Sequence, residues 1–173
     1  MIHSRTVNIF GALVLTLHDQ IRQHTDRAVG MTGEAAAAVV VIGNLPHRSI
    51  NFLRQALLMT HSGAVRLIDK LVGSRFVRRE RVAGDGRTSE LTLTRAGARV
   101  AKSILQVRHK IIADALTTLS SEEQDQLRRI TERLLAAVTK EEWADAMCRL
   151  CDESSCPLRA CPIAVELGCT DTP

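Results

Sequence analysis

Apolar residues along the chain recur mainly with the spacing of an α-helix. In the N-terminal segment they fall four residues apart, which predicts a helix over 7–28 with one apolar stripe. Gly30 and Gly33 interrupt this pattern, and Thr32 is placed to cap a second helix over 35–43. The stripe of the first helix comprises Ile9, Leu13, Leu17 and Ile21.

Two shorter helices follow before the pattern changes. Pro46 separates the second helix from a third over 49–58, and a fourth is predicted over 60–72. Polar and apolar residues then alternate over 76–94, which predicts a β-hairpin. The sequence Gly-Asp-Gly at 84–86 is typical of a tight turn, so we expect the tip of the hairpin there.

Helical spacing returns after the hairpin. It predicts a long helix over 94–119, and Ser120 followed by Glu123 has the spacing of a capping box that starts another helix. The apolar stripe of that last helix favours a core or a subunit interface. Its members are Leu127, Ile130, Leu134 and Val138. The predicted fold class is mainly α with a small β-hairpin.

Composition narrows the class of protein. Aromatic residues make up 2% of the 173 residues, so the core must be aliphatic, which suits helices. The net charge of +4 and the pI near 9.0 permit a polyanionic partner without establishing one. The apolar run over 35–43 is too short to span a bilayer, and polar residues interrupt the N-terminal stretch, so we expect a cytoplasmic protein without a membrane partner.

The order of the predicted elements indicates a DNA-binding motif. Two short helices joined by a tight connection and followed by a hairpin are the arrangement of a winged helix-turn-helix, in which the second helix enters the major groove and the hairpin, or wing, lies along the backbone or minor groove. Taken alone, the hairpin could equally be a soluble turn. The predicted DNA-binding residues are His61, Ser62, Gly63, Arg66 and Lys70 in the helix and Arg79, Arg81, Asp85 and Arg87 in the wing.

Two stretches resemble a known family. DGRTSELTLTRAG over 85–97 resembles the wing of the MarR family, and THSGAVRLIDKLVGSRFVRRE over 60–80 resembles its recognition helix and first wing strand. The resemblance implies a winged helix-turn-helix lobe over 31–94, with long dimerisation helices over 1–30 and 95–146. It also implies an obligate homodimer that binds a pseudo-palindromic operator in double-stranded DNA.

The resemblance suggests a steric mechanism. The dimer would occupy an operator as a repressor, and a small-molecule inducer bound between the dimerisation helices and the DNA-binding lobe would change the separation of the two recognition helices. Because each helix must reach a major groove, a small change in that separation should cost much affinity.

The C-terminal element over 147–173 differs from the rest. Its cysteines have the spacing C-x2-C-x4-C-x4-C, which is typical of a site where thiolates converge on one metal. The spacing leaves zinc, an iron–sulfur cluster, and free thiols or a disulfide as alternatives. The predicted ligands are Cys148, Cys151, Cys156 and Cys161, with Cys169 as a spare ligand or an unpaired thiol. A metal or redox change there would act on the helix that precedes it.

Other functional classes have weaker support in the sequence. An enzyme is not expected, because no nucleophile–base pair, phosphate-binding loop or cofactor fingerprint is visible. A redox or electron-transfer protein, with its chemistry in the cysteine tail, and a winged helix used for protein contact remain the alternatives to a DNA-binding regulator.

Overall fold

The computed structural model describes residues 3–82, 85–156 and 158–168, with the backbone alone at 81–82, 85–88, 143 and 158. It is mostly helical with one small antiparallel sheet, as predicted. The helices are α1 Ser4–Val29, α2 Ala35–Asn44, α3 Ile50–Ala56, α4 His61–Gly73, α5 Arg95–Leu116, α6 Ser121–Val138, α7 Ala144–Met147 and α8 Pro162–Glu166. The strands are β1 Arg48–Ser49, β2 Val77–Val82 and β3 Asp85–Leu93, and 3-10 turns lie at Glu141–Trp143 and Leu158–Ala160.

The sheet has the order β1-β3-β2, with both pairings antiparallel. Val77 is opposite Leu93 at the base of the hairpin, and the register shifts between Arg81 and Val82. Strand β1 was not predicted, since two residues cannot show an alternation. Strand β1 pairs with β3, with Arg48 opposite Leu91, and so adds a third strand at the base of the wing.

The predicted helix starts were partly correct. The capping box is present: the Glu123 amide donates to Ser120 Oγ at 3.3 Å and the Ser120 amide donates to Glu123 Oε2 at 2.8 Å. The prediction that Thr32 caps α2 was wrong. That helix begins after Glu34, whose side chain makes no capping hydrogen bond. Gly30 ends α1 in the left-handed conformation, with φ of 69°.

Helix α2 lies at the centre of the molecule. Every residue from Ala35 to Ile42 is buried, and α1, α3, α5 and β3 pack around it. A helix that is apolar on all sides is stable in water only when other elements enclose it. In the described part of the chain, no helix is both long enough and apolar enough to cross a membrane.

Gly97 fixes the approach of α5 to the base of the wing. A Cβ atom at this position would overlap the carbonyl group of Phe76, a backbone group that cannot rotate away. The same carbonyl accepts a hydrogen bond from the Thr94 amide at 3.0 Å, and Thr94 Oγ1 accepts from the Gly97 amide at 3.0 Å. Glycine is therefore required here by contact between two backbones.

We expect Gly97→Ala to lower the free energy of unfolding by about 2 to 3 kcal/mol, because the added methyl group must push α5 away from the wing. Gly73→Ala is the matched control, since nothing lies within 4 Å of a Cβ built there. It should leave stability unchanged or raise it by up to about 1 kcal/mol. Urea unfolding at one protein concentration measures both, and equal stabilities for the two variants would refute the close approach.

Candidate nucleic-acid interface

Helix α4 has one buried face and one exposed face. Ala64, Leu67, Ile68 and Leu71 are buried against the rest of the lobe. The opposite face is solvent-exposed and carries His61, Ser62, Arg66, Asp69 and Lys70. This split follows from helical periodicity, because positions three and four apart share a face. The polar residues of α4 that were predicted to bind DNA are therefore exposed to solvent.

The first turn of α4 is capped by Thr60. Its Oγ1 accepts a hydrogen bond from the Gly63 amide at 3.2 Å, and the Ser62 hydroxyl lies 3.4 Å from it. A Cβ atom at Gly63 would lie 3.0 Å from Thr60 Oγ1 and 3.4 Å from Met59 Cε, so the small residue also keeps this cap uncrowded. The remaining free amides of the first turn form a positive end that suits an anion.

The wing is formed by β2 and β3, beside α4. The prediction of a turn centred on 84–86 was wrong, since β3 already begins at Asp85, which pairs with Val82. The side chains of Arg81, Asp85 and Arg87 lie outside the described residues. Their backbone positions place all three in the strands on either side of residues 83–84.

An ion pair joins the wing to α4. Arg79 Nη2 lies 2.8 Å from Asp69 Oδ1, and both side chains are substantially exposed. The sequence did not indicate this contact, because it depends on how β2 passes α4. An exposed pair of this kind adds little stability. It does, however, direct the guanidinium of Arg79 towards the outer face of α4.

A second polar network braces the base of the wing. Glu80 and Glu90 are opposite each other in β2 and β3, where two like charges repel. His47 Nδ1 lies between them, 2.9 Å from Glu90 Oε2 and 3.9 Å from Glu80 Oε2. On the other side, Arg78 Nε lies 2.7 Å from Glu80 Oε1 and donates to Thr92 Oγ1 at 2.9 Å. Of these contacts, the one from His47 joins the wing to the segment before α3, and the others join β2 to β3 or lie within β2.

A cavity of about 520 Å³ lies away from this surface, between α2, α5 and the tail. Gly43 and Asn44 line it from the end of α2, and Asp152 and Ser154 line it from the tail. Its α5 wall includes Ala101, Lys102, Leu105 and His109. Mixed apolar and polar walls of this kind are typical of small-molecule sites.

The four predicted ligand cysteines are free thiols of intermediate burial. Cys148 and Cys151 share a side-chain hydrogen bond, as do Cys156 and Cys161. Among the residues that the structure describes, no three His, Cys, Asp or Glu side chains are already grouped as a metal site. Cys169 lies outside the described residues.

Comparisons of the sequence identify its relatives. The model of the MarR family matches residues 29–88, which run from the end of α1 into β3. The transcriptional repressor MprA of Escherichia coli strain K12 is 27% identical over 118 residues, 67% of this chain and 67% of MprA.

Solved structures also resemble this chain in fold. The YusO protein from Bacillus subtilis superposes with a TM-score of 0.69 at 21% identity, covering 78% of this chain and 95% of that one. FabT from Streptococcus pneumoniae, solved in complex with DNA, gives 0.63 at 15% identity, covering 76% of this chain and 94% of FabT. The chain is therefore similar to the MarR family over residues 29–88, and it shares the fold of YusO and FabT.

The Thr60 cap of α4 gives a testable prediction. Thr60→Ala should lower the free energy of unfolding by about 1 kcal/mol, since the Gly63 amide loses its acceptor. Thr60→Ser retains the hydroxyl and should stay within a few tenths of a kcal/mol of the parent protein, roughly as the ranking of capping residues implies. Thermal or urea unfolding distinguishes the two, and equal losses would mean that the methyl group, and not the cap, matters.

Proposed function

We propose that this chain, which carries a MarR-family winged helix, is a transcription regulator that binds double-stranded DNA as a homodimer, and not an enzyme. The observation that carries the proposal is the exposed polar face of α4, beside a wing rich in arginine. We expect it to repress transcription by occupying an operator, since its E. coli relative MprA is named a transcriptional repressor.

Charge and exposure of the lobe support DNA as the partner. Arg66 and Lys70 are exposed one turn apart on α4. Cations arranged along one surface neutralise phosphates and release the counterions condensed on the duplex. Asp69 is the acidic group on the same face of α4, and Arg79 neutralises it. The face is therefore net basic.

The second copy of the chain is inferred from two uncovered helices. Helix α6 is amphipathic, yet none of its residues is buried within one chain. Helix α1 buries only Thr25 and Val29, both near its C-terminal end. The large apolar side chains left exposed on these two helices are Val7, Ile9, Phe10, Leu13, Val14 and Leu15 on α1 and Leu127, Ile130, Leu134 and Val138 on α6.

Such apolar faces are costly in water and are typical of obligate interfaces. A two-fold pair places the same face of each subunit against the other, which covers both faces at once. It also provides two copies of α4. Operator half-sites on one side of a duplex repeat about every 34 Å, so the subunit interface sets whether both copies of α4 fit the DNA together.

We infer that the cavity between α2, α5 and the tail is where an inducer binds. Its walls come from the DNA-binding lobe at Gly43 and Asn44 and from the dimerisation helix α5 at Ala101 and Leu105. A molecule that binds there in only one relative arrangement of these elements would shift the protein towards that arrangement. The separation of the two copies of α4 would change with it.

The DNA-binding proposal predicts a difference between two arginines. Arg66→Ala should weaken binding by about 1 to 3 kcal/mol and relax the preference for one sequence, since α4 faces the base edges. Arg87→Ala should weaken binding to all sequences and reduce the slope of log K against log salt by about one, as expected for a phosphate contact. Fluorescence anisotropy on operator and random duplexes over a range of salt concentrations measures both effects.

Lys110→Ala is the charge-matched control for these variants. It removes the same charge from α5, where the ammonium group pairs with Asp114 at 2.8 Å and is 75% exposed. Its DNA affinity and salt dependence should equal those of the parent protein. If all three variants weaken binding equally, net charge alone attracts DNA and the proposed interface is incorrect.

The homodimer proposal predicts dissociation by a single substitution. Ile130→Asp places a carboxylate in the centre of the α6 face and should weaken association by at least about 3 kcal/mol, because the charge would be buried without a partner. Leu58→Asp is the control, since Leu58 is equally exposed, at 57% against 52% for Ile130, but lies between α3 and α4. Sedimentation equilibrium should show a monomer only for the first variant, and a monomeric parent protein would end the proposal.

A further inference from the structure

Two pairs of thiols lie in the tail that follows α7. The Cys151 amide donates to the Cys148 carbonyl at 2.8 Å, which closes a turn and brings their thiols into a hydrogen bond. The Cys156 and Cys161 thiols share a second hydrogen bond. Cys161 is also the residue before α8, and its carbonyl accepts from the Val165 amide at 2.9 Å. Backbone hydrogen bonds thus hold Cys151 in a turn and Cys161 at the start of α8.

The two pairs are neighbours. Cys148 interacts electrostatically with both Cys156 and Cys161, and Cys156 also interacts with Cys151. The segment therefore brings all four sulfur atoms into one locality, half shielded from solvent.

The contacts among these thiols make them differ in acidity. The hydrogen bond with Cys151 and burial raise the pKa of Cys148 well above its usual range, and burial and the nearby Cys161 raise that of Cys156. Cys151 alone is favoured as an anion: the hydrogen bond from Cys148, with help from the Arg108 guanidinium, lowers its pKa to about 6.

The tail is anchored to the rest of the molecule on two sides. Asn44 Nδ2, at the end of α2, donates to the Cys151 carbonyl at 3.0 Å, and Leu150 packs against the core. On the other side, Ile163 and Ala164 of α8 are buried, and α8 packs on α6. The thiols therefore lie where the lobe and the last long helix are joined through the tail.

We propose that the four cysteines from Cys148 to Cys161 bind one thiophilic metal centre through their thiolates. Because no three ligand side chains in the described residues already form a site, the two thiol pairs must close around the metal, and each cysteine that is still protonated releases its proton to solvent. Zinc and an iron–sulfur cluster share this four-thiolate ligation. The proposal goes beyond DNA binding and does not rest on it.

Metal analysis of the anaerobically purified full-length chain is the first test. We expect one equivalent of zinc per chain in a colourless protein, or iron with acid-labile sulfide in a brown one, and either supports the site. Added Co²⁺ gives a second readout that needs no substitution. The metal-free chain should take up one equivalent with the absorption bands of tetrahedral cobalt–thiolate ligation.

Single serine substitutions then assign the ligands. Cys148→Ser, Cys151→Ser, Cys156→Ser and Cys161→Ser should each reduce the retained metal by about tenfold or more. Cys169→Ser is the matched control, because it removes the fifth cysteine of the chain and should keep the full equivalent. Far-ultraviolet circular dichroism verifies that the helices persist in every variant. Zn²⁺ should raise the melting temperature of the parent protein but not that of the ligand variants.

Three results would overturn the proposal. The first is a chain that retains no zinc or iron and gives no cobalt–thiolate absorption. The second is metal that stays bound in the four serine variants, which would place it elsewhere. The third is disulfide-bonded cysteines in the anaerobic protein, detected by thiol titration under denaturing conditions. That outcome would make the tail a redox element instead.

Discussion

The enclosure of α2 is the constraint from which the arrangement of the other elements follows. A helix with no polar side from Ala35 to Ile42 has to be covered all round. Helices α1 and α5 and strand β3 provide that cover, and α3 positions the turn into α4. Helix α4 then buries only one face. Its polar residues, from His61 to Lys70, are left exposed, next to a wing braced by Glu80, His47 and Arg78.

The sequence allowed the helices to be predicted because their signals are local. A stripe such as Leu127 to Val138 and a capping box such as Ser120 with Glu123 depend on residues a few positions apart. Strand β1, the start of β3 at Asp85 and the requirement for glycine at Gly97 depend on partners distant in the sequence. A pattern read along one chain contains no information about those partners.

In the candidate site, too, features with local signals could be predicted from the sequence, and contacts between distant residues could not. The exposed face of α4 follows from its period, so Arg66 and Lys70 could be named from the sequence. The ion pair between Arg79 and Asp69 could not, because it depends on where β2 crosses the helix. In the tail, the cysteine spacing predicted that the thiols meet. It did not predict two hydrogen-bonded pairs, or the bond from Asn44 that ties one pair to the lobe.

The tail can affect DNA binding only through the elements that it contacts. One end contacts α2 through Cys151 and Asn44, and the other contacts α6 through α8. If α6 packs against a second subunit, the tail spans the junction between the lobe and the interface that sets the separation of the two copies of α4. A change of state in the tail alters affinity only to the extent that its contacts at either end differ between the two arrangements. One such difference would be loss of the hydrogen bond from Asn44 to the Cys151 carbonyl. Closure of the thiol pairs around a metal would act directly on this bond, because Cys151 is one of the proposed ligands.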